Sequence, residues 1–235
     1  DGSDTVSLIF NASGSTASLF TITGFETQNI VANGAPTTVT IAAGTPLSGA
    51  IVLSGDGTVI NNDDITVAND EAIFAGNDIT LINNADLVTT GDFAEGIDSG
   101  DDVSITHTGS ILTDGENAEG IETNTGSKIT VITGATIETS GEGAEGILTS
   151  DIAIVEHAGS IVTTGDQGEG IQVVDLGVVE IASTGSISTA GVGAEGVYGV
   201  LDSDITLLGS IVTTGADADG IDSDNDSVVS IGSTG

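Results

Sequence analysis

The stretch at residues 159–171 reads Gly-Ser-Ile-Val-Thr-Thr-Gly-Asp-Gln-Gly-Glu-Gly-Ile, and variants of it occupy residues 109–121, 185–197 and 209–221. Its final acid-glycine-aliphatic step recurs along the chain, with Glu71 as an imperfect first copy. The acids of the later copies are Glu95, Glu119, Glu145, Glu169, Glu195 and Asp219. Subtracting successive positions, starting from Glu71, gives spacings of 24, 24, 26, 24, 26 and 24. A nearly fixed period of this size indicates a solenoid.

Two further aliphatic columns keep step with this repeat. The first column consists of Leu81, Ile105, Val131, Val155, Ile181, Ile205 and Ile231, and the second of Leu87, Ile111, Ile137, Ile161, Ile187 and Ile211. Only the gap that precedes the first column varies, so we place the two extra residues of the longer coils in that turn. Alternation such as Val103-Ser104-Ile105 is strand periodicity with one face inward. We therefore predict an all-β, single-stranded parallel β-helix with three strands per coil, each coil having roughly 24 or roughly 26 residues.

The first part of the chain does not follow this period. Residues 1–47 are predicted to form an N-terminal capping segment with irregular strands, which covers the first rung, because an open solenoid end is a sheet edge. Residues 48–235 are predicted to form the solenoid repeat domain. The last residues stop just before the position of another Ser-Ile strand, which favours either a longer chain or pairing with a second subunit at this end.

Composition limits the classes of function. The chain has 36 acidic residues against one basic residue, Lys128, and a formal net charge of −35. Nucleic acids and anionic membranes are bound through Lys and Arg, so neither is expected as a partner. Cysteine is absent, which excludes disulfides and thiolate metal sites. There is no basic, apolar signal peptide at the start and no run of about 18 apolar residues, so we expect no membrane insertion.

The phrase at residues 159–171, with its variants, resembles the passenger-domain repeats of type V autotransporters. The resemblance covers roughly residues 71–235. It implies a right-handed β-helix displayed on a Gram-negative outer membrane, often as an adhesin. It brings no catalytic motif to this chain.

Two acidic columns are candidate metal ligands. The first contains Glu95, Glu119, Glu145, Glu169, Glu195 and Asp219, and the second, three residues earlier in four copies, contains Asp92, Glu116, Glu142 and Asp166. Stacked carboxylates repel each other unless cations or backbone N–H groups compensate, and carboxylate oxygens suit Ca²⁺. The columns therefore predict a row of Ca²⁺ sites. Two alternatives remain open: each acid accepts backbone N–H bonds in its own bend, or the acidity reflects a saline habitat.

The outward face of the third strand is a candidate interaction face because it carries little charge. Its predicted residues are Val88, Leu112, Ser160, Val162, Thr164, Ser210, Val212 and Thr214. A flat apolar stripe with polar edges is typical of a contact surface. The alternative is an ordinary exposed strand built from small β-forming residues.

Other columns point away from a specialised site. The threonine column (Thr89, Thr113, Thr139, Thr163, Thr189, Thr213) shares the parity of the buried isoleucines, which favours an internal hydroxyl ladder over an ice-binding surface. His107 and His157 lie two coils apart, with Thr133 assigned between them, and this indicates a solvent-facing or packing role. The acids are spread evenly along the repeat and no arginine is present, so we predict no enzymatic activity.

The function expected from these patterns is that of a non-enzymatic, extracellular structural or adhesive solenoid of a bacterial cell surface. It would act through repeated lateral contacts, with rigidity supported by Ca²⁺. Its partners would be cell-surface or matrix polymers, or other copies of itself. The alternative function is a self-assembling subunit of an extracellular filament or surface layer that stacks end to end.

Overall fold

The computed structural model describes residues 5–10, 16–19, 27–33, 37–44, 47, 49–224 and 226–232. These residues form a parallel β-solenoid in which the chain runs through three sheets in turn, and every strand pairs with the equivalent strand of a neighbouring coil. All the assigned elements of these residues are strands. The predicted all-β class, the parallel pairing and the three strands per coil are confirmed.

Strands are numbered along the chain, and the described residues give ten strands in sheet 1, ten in sheet 2 and seven in sheet 3. Sheet 1 contains β1 (Thr5–Phe10), β3 (Thr27–Ala32), β5 (Ala50–Gly55), β8 (Ile73–Ala75), β11 (Ile97–Ser99), β14 (Ile121–Thr123), β17 (Ile147–Asp151), β20 (Ile171–Asp175), β23 (Val197–Leu201) and β26 (Ile221–Ser223). Sheet 2 contains β2 (Thr16–Leu19), β4 (Thr38–Ile41), β6 (Thr58–Asn61), β9 (Thr80–Asn83), β12 (Ser104–His107), β15 (Lys128–Val131), β18 (Ile154–His157), β21 (Val178–Ile181), β24 (Asp204–Leu207) and β27 (Val228–Ile231). Sheet 3 contains β7 (Ile65–Ala68), β10 (Leu87–Thr90), β13 (Ser110–Asp114), β16 (Thr136–Thr139), β19 (Ser160–Thr163), β22 (Ser186–Thr189) and β25 (Ser210–Thr213).

The core is a continuous stack of aliphatic side chains, because the strand register places equivalent aliphatic residues of successive coils on top of one another. Ile121 of sheet 1, Ile129 of sheet 2 and Ile137 of sheet 3 point into one coil, and each is fully buried. Burial of one such side chain contributes about 1.5–3 kcal/mol. A truncation such as Ile129→Ala would therefore cost about 2–5 kcal/mol, since the rungs above and below hold the cavity open.

The position of the two extra residues differs from the prediction. Ile105 pairs with Ile129, not with Val131, so Val131, Ile181 and Ile231 do not belong to the first column. The insertions lie instead between sheets 2 and 3, at residues 132–135 and 182–185, where the intervening coil has only residues 158–159. A shift of two residues keeps a side chain on the same face of a strand, so alternation could not distinguish the two registers.

The described strands before residue 47 belong to the solenoid. Thr5 pairs with Thr27 and Thr27 with Ala50 in sheet 1, while Val39 pairs with Val59 in sheet 2. Sheets 1 and 2 continue without a break across the boundary predicted at residue 47. Sheet 3 begins at this boundary, with a bridge between Leu47 and Ile65. The paired positions show that these coils are shorter than the later ones, which is why the longer repeat did not reveal them. Residues 1–4 and 233–235 lie outside the described part of the chain.

Candidate cation site on the glutamate corner

The corner between sheets 3 and 1 is built by a hydrogen bond within each coil. Oγ1 of Thr113 donates to the Ala118 carbonyl at 2.7 Å, and Thr139 and Thr163 make the equivalent bonds to Ala144 and Gly168. The threonine column is therefore buried as predicted, but each hydroxyl binds its own corner and not the next threonine. The bond fixes the carbonyl of the residue that directly precedes each glutamate of the repeat.

The first predicted column becomes a nearly buried stack on this corner. Glu95, Glu119, Glu145 and Glu169, called here the inner ladder, are only 6–8 % exposed. The remaining two predicted members differ, because Glu195 is half-buried and Asp219 is exposed. The carboxyl groups of the inner ladder are close enough from rung to rung, from Glu95 to Glu119 and onward to Glu169, for each to affect the protonation of the next.

Burial and mutual repulsion shift the protonation of the inner ladder. Burial, followed by the hydrogen bond to Glu169 and the charges of Glu119 and Glu169, raises the pKa of Glu145 to about 9. Burial likewise raises the pKa of Glu169 to about 7, and it raises the pKa of Glu95 and of Glu119. Two charges one rung apart, at about 4.8 Å, repel by about 3.5 kcal/mol at an effective dielectric of about 20. The ladder therefore requires protons or cations between its rungs.

The second predicted column is a separate feature. Asp92, Glu116, Glu142 and Asp166 are exposed. Oδ1 of Asp92 accepts the Glu116 N–H at 3.1 Å, and Oδ1 of Asp166 accepts the Val192 N–H at 2.8 Å. One alternative to a Ca²⁺ site is that each acid accepts a backbone N–H bond in its own bend. These two aspartates do accept such a bond, but from the N–H of the next coil. The ten predicted ligands thus do not form one site.

Sequence reasoning missed two acids beside the inner ladder. Asp98 and Glu122 pair in register on the outer face of sheet 1, next to the glutamate corner. Carboxylate oxygens of Glu95, Glu119 and Glu122 all lie within 4.8 Å of one another. Burial, followed by the charges of Glu119 and Asp98, raises the pKa of Glu122 to about 7. The available signal was that Asp98 and Glu122 each follow the inward isoleucine by one residue and therefore point outward.

The acidic cluster does not continue along the outer row of sheet 1. The three rungs that follow Glu122 in this row carry Leu148, Gln172 and Tyr198, and an acid returns only at Asp222. None of the first three side chains is a carboxylate. Three carboxylates therefore converge at the rungs of Glu95 and Glu119, in contrast to the uniform row that the sequence predicts.

The predicted interaction face lies on the outside of sheet 3. Register places Val88, Leu112, Val162 and Val212 in one outer row, and Glu138 interrupts it between Leu112 and Val162. Leu112 and Val212 are 43 % and 53 % exposed. The polar flanks hold the remaining predicted residues Ser160, Ser210, Thr164 and Thr214, and the two threonines donate to carbonyls of the preceding coil.

The two histidines are interior residues. His107 and His157 are at most 1 % exposed, and Val131, not Thr133, lies between them in register. The packing role is confirmed and the solvent-facing role is wrong. Above His157, the two long turns flank a groove of about 430 Å³, and the hydroxyls of Thr133 and Thr184 meet across it at 3.1 Å.

Comparisons with protein-family models, with curated proteins and with solved structures found no match to this chain. The structure shows a parallel β-solenoid, and no family model or relative supports an assignment to the autotransporter passengers that the repeat resembles. No helix long and apolar enough to cross a bilayer occurs in the described residues.

Proposed function

We propose that this chain is a rigid, non-enzymatic solenoid of a bacterial cell surface, with a structural and adhesive role outside the cell. The observation that carries the proposal is the composition of the outer row of sheet 3. In register this row holds Thr66, Val88, Leu112, Glu138, Val162, Ser188 and Val212. It has one carboxylate, in a chain with 36 acids. A flat, weakly charged strip on a strongly charged rod is suited to repeated shallow contacts.

The rest of the molecule is consistent with this role. The continuous core and in-register strands make a stiff rod, and the acidic corners keep it soluble and favour cations that add rigidity. The net charge of −35 disfavours nucleic acid and anionic membranes as partners. Matrix or cell-surface polymers with few negative charges are the partners that the strip fits. The resemblance to autotransporter passengers supports the extracellular location.

Co-sedimentation with insoluble cellulose, chitin and collagen-coated beads tests the adhesive role. The variant Leu112→Glu with Val162→Glu places two charges on sheet 3, and Ile154→Glu with Val178→Glu places the same two charges on sheet 2. We expect the native chain and the sheet 2 variant to pellet with at least one polymer, and the sheet 3 variant to lose this binding. Equal binding by both variants, or no binding by the native chain, would contradict the proposal.

A second candidate function is end-to-end assembly with other copies. In the last described coil the core-facing edge is open: Ile231 is 72 % and Val229 is 39 % exposed, and a cavity of about 370 Å³ lies between Leu207, Ile211 and Ile221. A further coil stacked here, from a second copy or from the same chain beyond residue 235, would cover these side chains. Sedimentation velocity over a range of concentrations tests self-association. Assembly predicts growing species that Val229→Asp abolishes, whereas a monomer at every concentration rejects this candidate.

A further inference from the structure

The corner between sheets 1 and 2 departs from the repeat in two neighbouring coils. In each of the regular coils one residue of this corner adopts the left-handed backbone region, and the described members of this row are Asp78, Asp102, Gly126, Ile152, Leu176, Asp202 and Asp226. Aspartate and glycine tolerate this conformation, whereas aliphatic side chains are strained in it. Isoleucine and leucine therefore occupy positions where the backbone favours a small or polar residue.

Ile152 and Leu176 belong to an exposed aliphatic surface. Their side chains are 55 % and 50 % exposed. Ile154 and Val178 pair in register on the outer face of sheet 2 and are also exposed. The four residues, called here the aliphatic patch, lie on two adjacent rungs. Exposed aliphatic groups at strained positions do not stabilise the fold, so the patch indicates a contact surface.

Carboxylates border the aliphatic patch. Asp202 and Asp204 occupy the equivalent positions one rung further on. Glu156 and Glu180 lie on β18 and β21, two residues after the aliphatic residue of each strand. Alternation along a strand therefore places both glutamates on the same outward face as the patch. The aliphatic centre thus has an acidic border.

The chain supplies one basic residue to this border. Lys128 pairs in register with Ile154 and forms an ion pair with Glu156 at 2.7 Å. Because the chain has no other lysine or arginine, Glu180, Asp202 and Asp204 have no such partner. The border therefore carries uncompensated negative charge, which Lys or Arg side chains of a partner would neutralise.

The charge of this border selects the occupant of the patch. A second copy of the chain, with the same formal net charge of −35, would bring carboxylates against carboxylates. A neutral polymer would remove water from the carboxylates without replacing it by a positive group. We propose that the aliphatic patch binds a cationic polypeptide segment of another protein. Apolar side chains of the segment would pack on the patch, and its Lys or Arg side chains would contact the carboxylates of the border.

This binding goes beyond adhesion through the outer row of sheet 3. A bound segment at the corner between sheets 1 and 2 would leave sheet 3 free, so the rod would carry a basic protein while it contacts a polymer. No residue of sheet 3 belongs to the patch. Failure of the polymer-binding experiment and failure of the experiments below are therefore separate results.

Fluorescence anisotropy with the labelled peptide Lys-Leu-Leu-Lys-Leu-Leu-Lys tests the proposal. We expect saturable binding to the native chain, at least about tenfold tighter than that of Lys-Ser-Ser-Lys-Ser-Ser-Lys, because burial of the leucine side chains contributes this much. Glu-Leu-Leu-Glu-Leu-Leu-Glu should not bind, since its charge matches that of the border. Equal binding of the leucine and serine peptides, or binding of the acidic peptide, would overturn the proposal.

Matched variants locate the bound peptide. Ile152→Asn with Leu176→Asn changes no charge and places a residue that tolerates the left-handed region at both positions, so the fold is retained. This pair should weaken binding at least about tenfold. Leu112→Asn with Val212→Asn makes the same change on exposed residues of sheet 3 and should leave the Kd unchanged. Circular dichroism verifies folding. Native affinity in the first pair, or an equal loss in the second, would reject the patch as the binding surface.

Sedimentation velocity distinguishes the proposed occupant from a second copy of the chain. We expect the pair Ile152→Asn and Leu176→Asn to leave the distribution of species unchanged at every concentration, since like-charged borders repel. Self-association of the native chain that this pair abolishes would assign the patch to a second copy and would overturn the proposal.

Discussion

The side-chain amide nitrogen of Asn83 lies 3.2 Å from Nδ1 of His107, inside the core of the solenoid. The amide also donates to the Ala85 carbonyl, and Nε2 of the imidazole lies 3.4 Å from the Thr136 carbonyl. With Nε2–H donating and Nδ1 accepting, the imidazole is satisfied only when it is neutral. A polar column thus runs through the aliphatic core, from Asn61 through Asn83 to His107.

This arrangement predicts that His107 destabilises the fold in acid. Burial lowers the pKa of His107 to about 4, against 6.5 for the free side chain. Between pH 6.5 and about 4, the imidazole is protonated in the unfolded chain but neutral in the folded chain. The stability that depends on the neutral imidazole is therefore complete above pH 6.5 and is lost as the pH falls toward 4. His107→Asn extends the asparagine stack and removes the titrating group. The free energy of unfolding of this variant, relative to that of the native chain, should therefore be higher at pH 4 than at pH 7 by on the order of 2 kcal/mol. Urea unfolding at several pH values measures this change.

Thr106→Asn provides the control for this experiment. It lies on the outward side of the same strand and changes no titrating group. Its difference from the native chain should not depend on pH. A pH-independent difference for His107→Asn as well would show that the imidazole is solvated or already charged in the folded chain.

The inner ladder should give the opposite pH dependence. The pKa of Glu145 is raised to about 9 in the folded chain, so the folded state binds more protons than the unfolded state above pH 4.5. Its contribution is complete below pH 4.5 and is lost as the pH rises through 9. Glu145→Gln mimics the protonated group, and in EDTA at pH 8 it should increase the free energy of unfolding by on the order of 2 kcal/mol. The gain should vanish near pH 4.

Glu142→Gln is the matched control for the ladder. It removes one charge from the exposed side of the same corner, so it reports the general repulsion of a chain with 36 acids. We expect a gain of less than about 0.5 kcal/mol at pH 8. If the two variants gain equally, the stacking of carboxyl groups has no special energetic effect.

Backbone strain at the corner between sheets 1 and 2 leads to another expected stabilisation. Ile152 has a φ of 51° and is 55 % exposed, whereas the equivalent position holds aspartate at Asp102 and Asp202. The left-handed region costs a β-branched residue about 1–2 kcal/mol, and asparagine tolerates it. Ile152→Asn should therefore raise the free energy of unfolding by about 1 kcal/mol. Ile154→Asn, an exposed change on the adjoining strand, should give no gain, and a gain in both would attribute the effect to lower surface hydrophobicity.

The threonine hydroxyl of each glutamate corner should contribute to the stability of the fold through its hydrogen bond. Thr139→Val keeps the shape of the buried side chain but removes the 2.7 Å bond to the Ala144 carbonyl. We expect a loss of about 1–2 kcal/mol in chemical unfolding. Thr66→Val, on the exposed face of sheet 3, should change stability by less than about 0.5 kcal/mol. A loss no larger for Thr139→Val than for Thr66→Val would mean that the corner is held by its backbone alone.

Much of the fold could be predicted because the same pattern of aliphatic residues and glycine-rich bends occurs in many successive coils. The recurring acid-Gly-aliphatic step gave the coil length, and alternation gave the inward face. Alternation alone could not distinguish Ile129 from Val131 as the partner of Ile105, since both point inward. The strands before residue 47 are predicted only as irregular, because their coils are shorter than the later ones and lack the glycine-rich glutamate corner.

The candidate site was predictable only in its first column. Glu119 is nearly buried, whereas Glu116 is exposed. This difference depends on how the corner folds back onto sheet 1, and the spacing of the repeat does not predict it. Glu122 joins the cluster from a neighbouring strand, so its role requires the register of sheet 1. For His107 the sequence predicts a solvent-facing or a packing role and does not distinguish them, because a polar residue on a short strand is usually exposed.

The corner bond of Thr113, Thr139 and Thr163 has a consequence for how such a molecule changes length. Each bond closes within five residues of one coil, so no corner depends on a distant part of the chain. Ile97 and Ile147 are equivalent positions two coils apart, with Ile121 between them in register. A genetic duplication or deletion of such a pair of coils would leave every turn intact and move the far end by about 9.6 Å, twice the spacing of strands. The distance that the rod spans is therefore open to selection in discrete steps, with no need to invent a new fold.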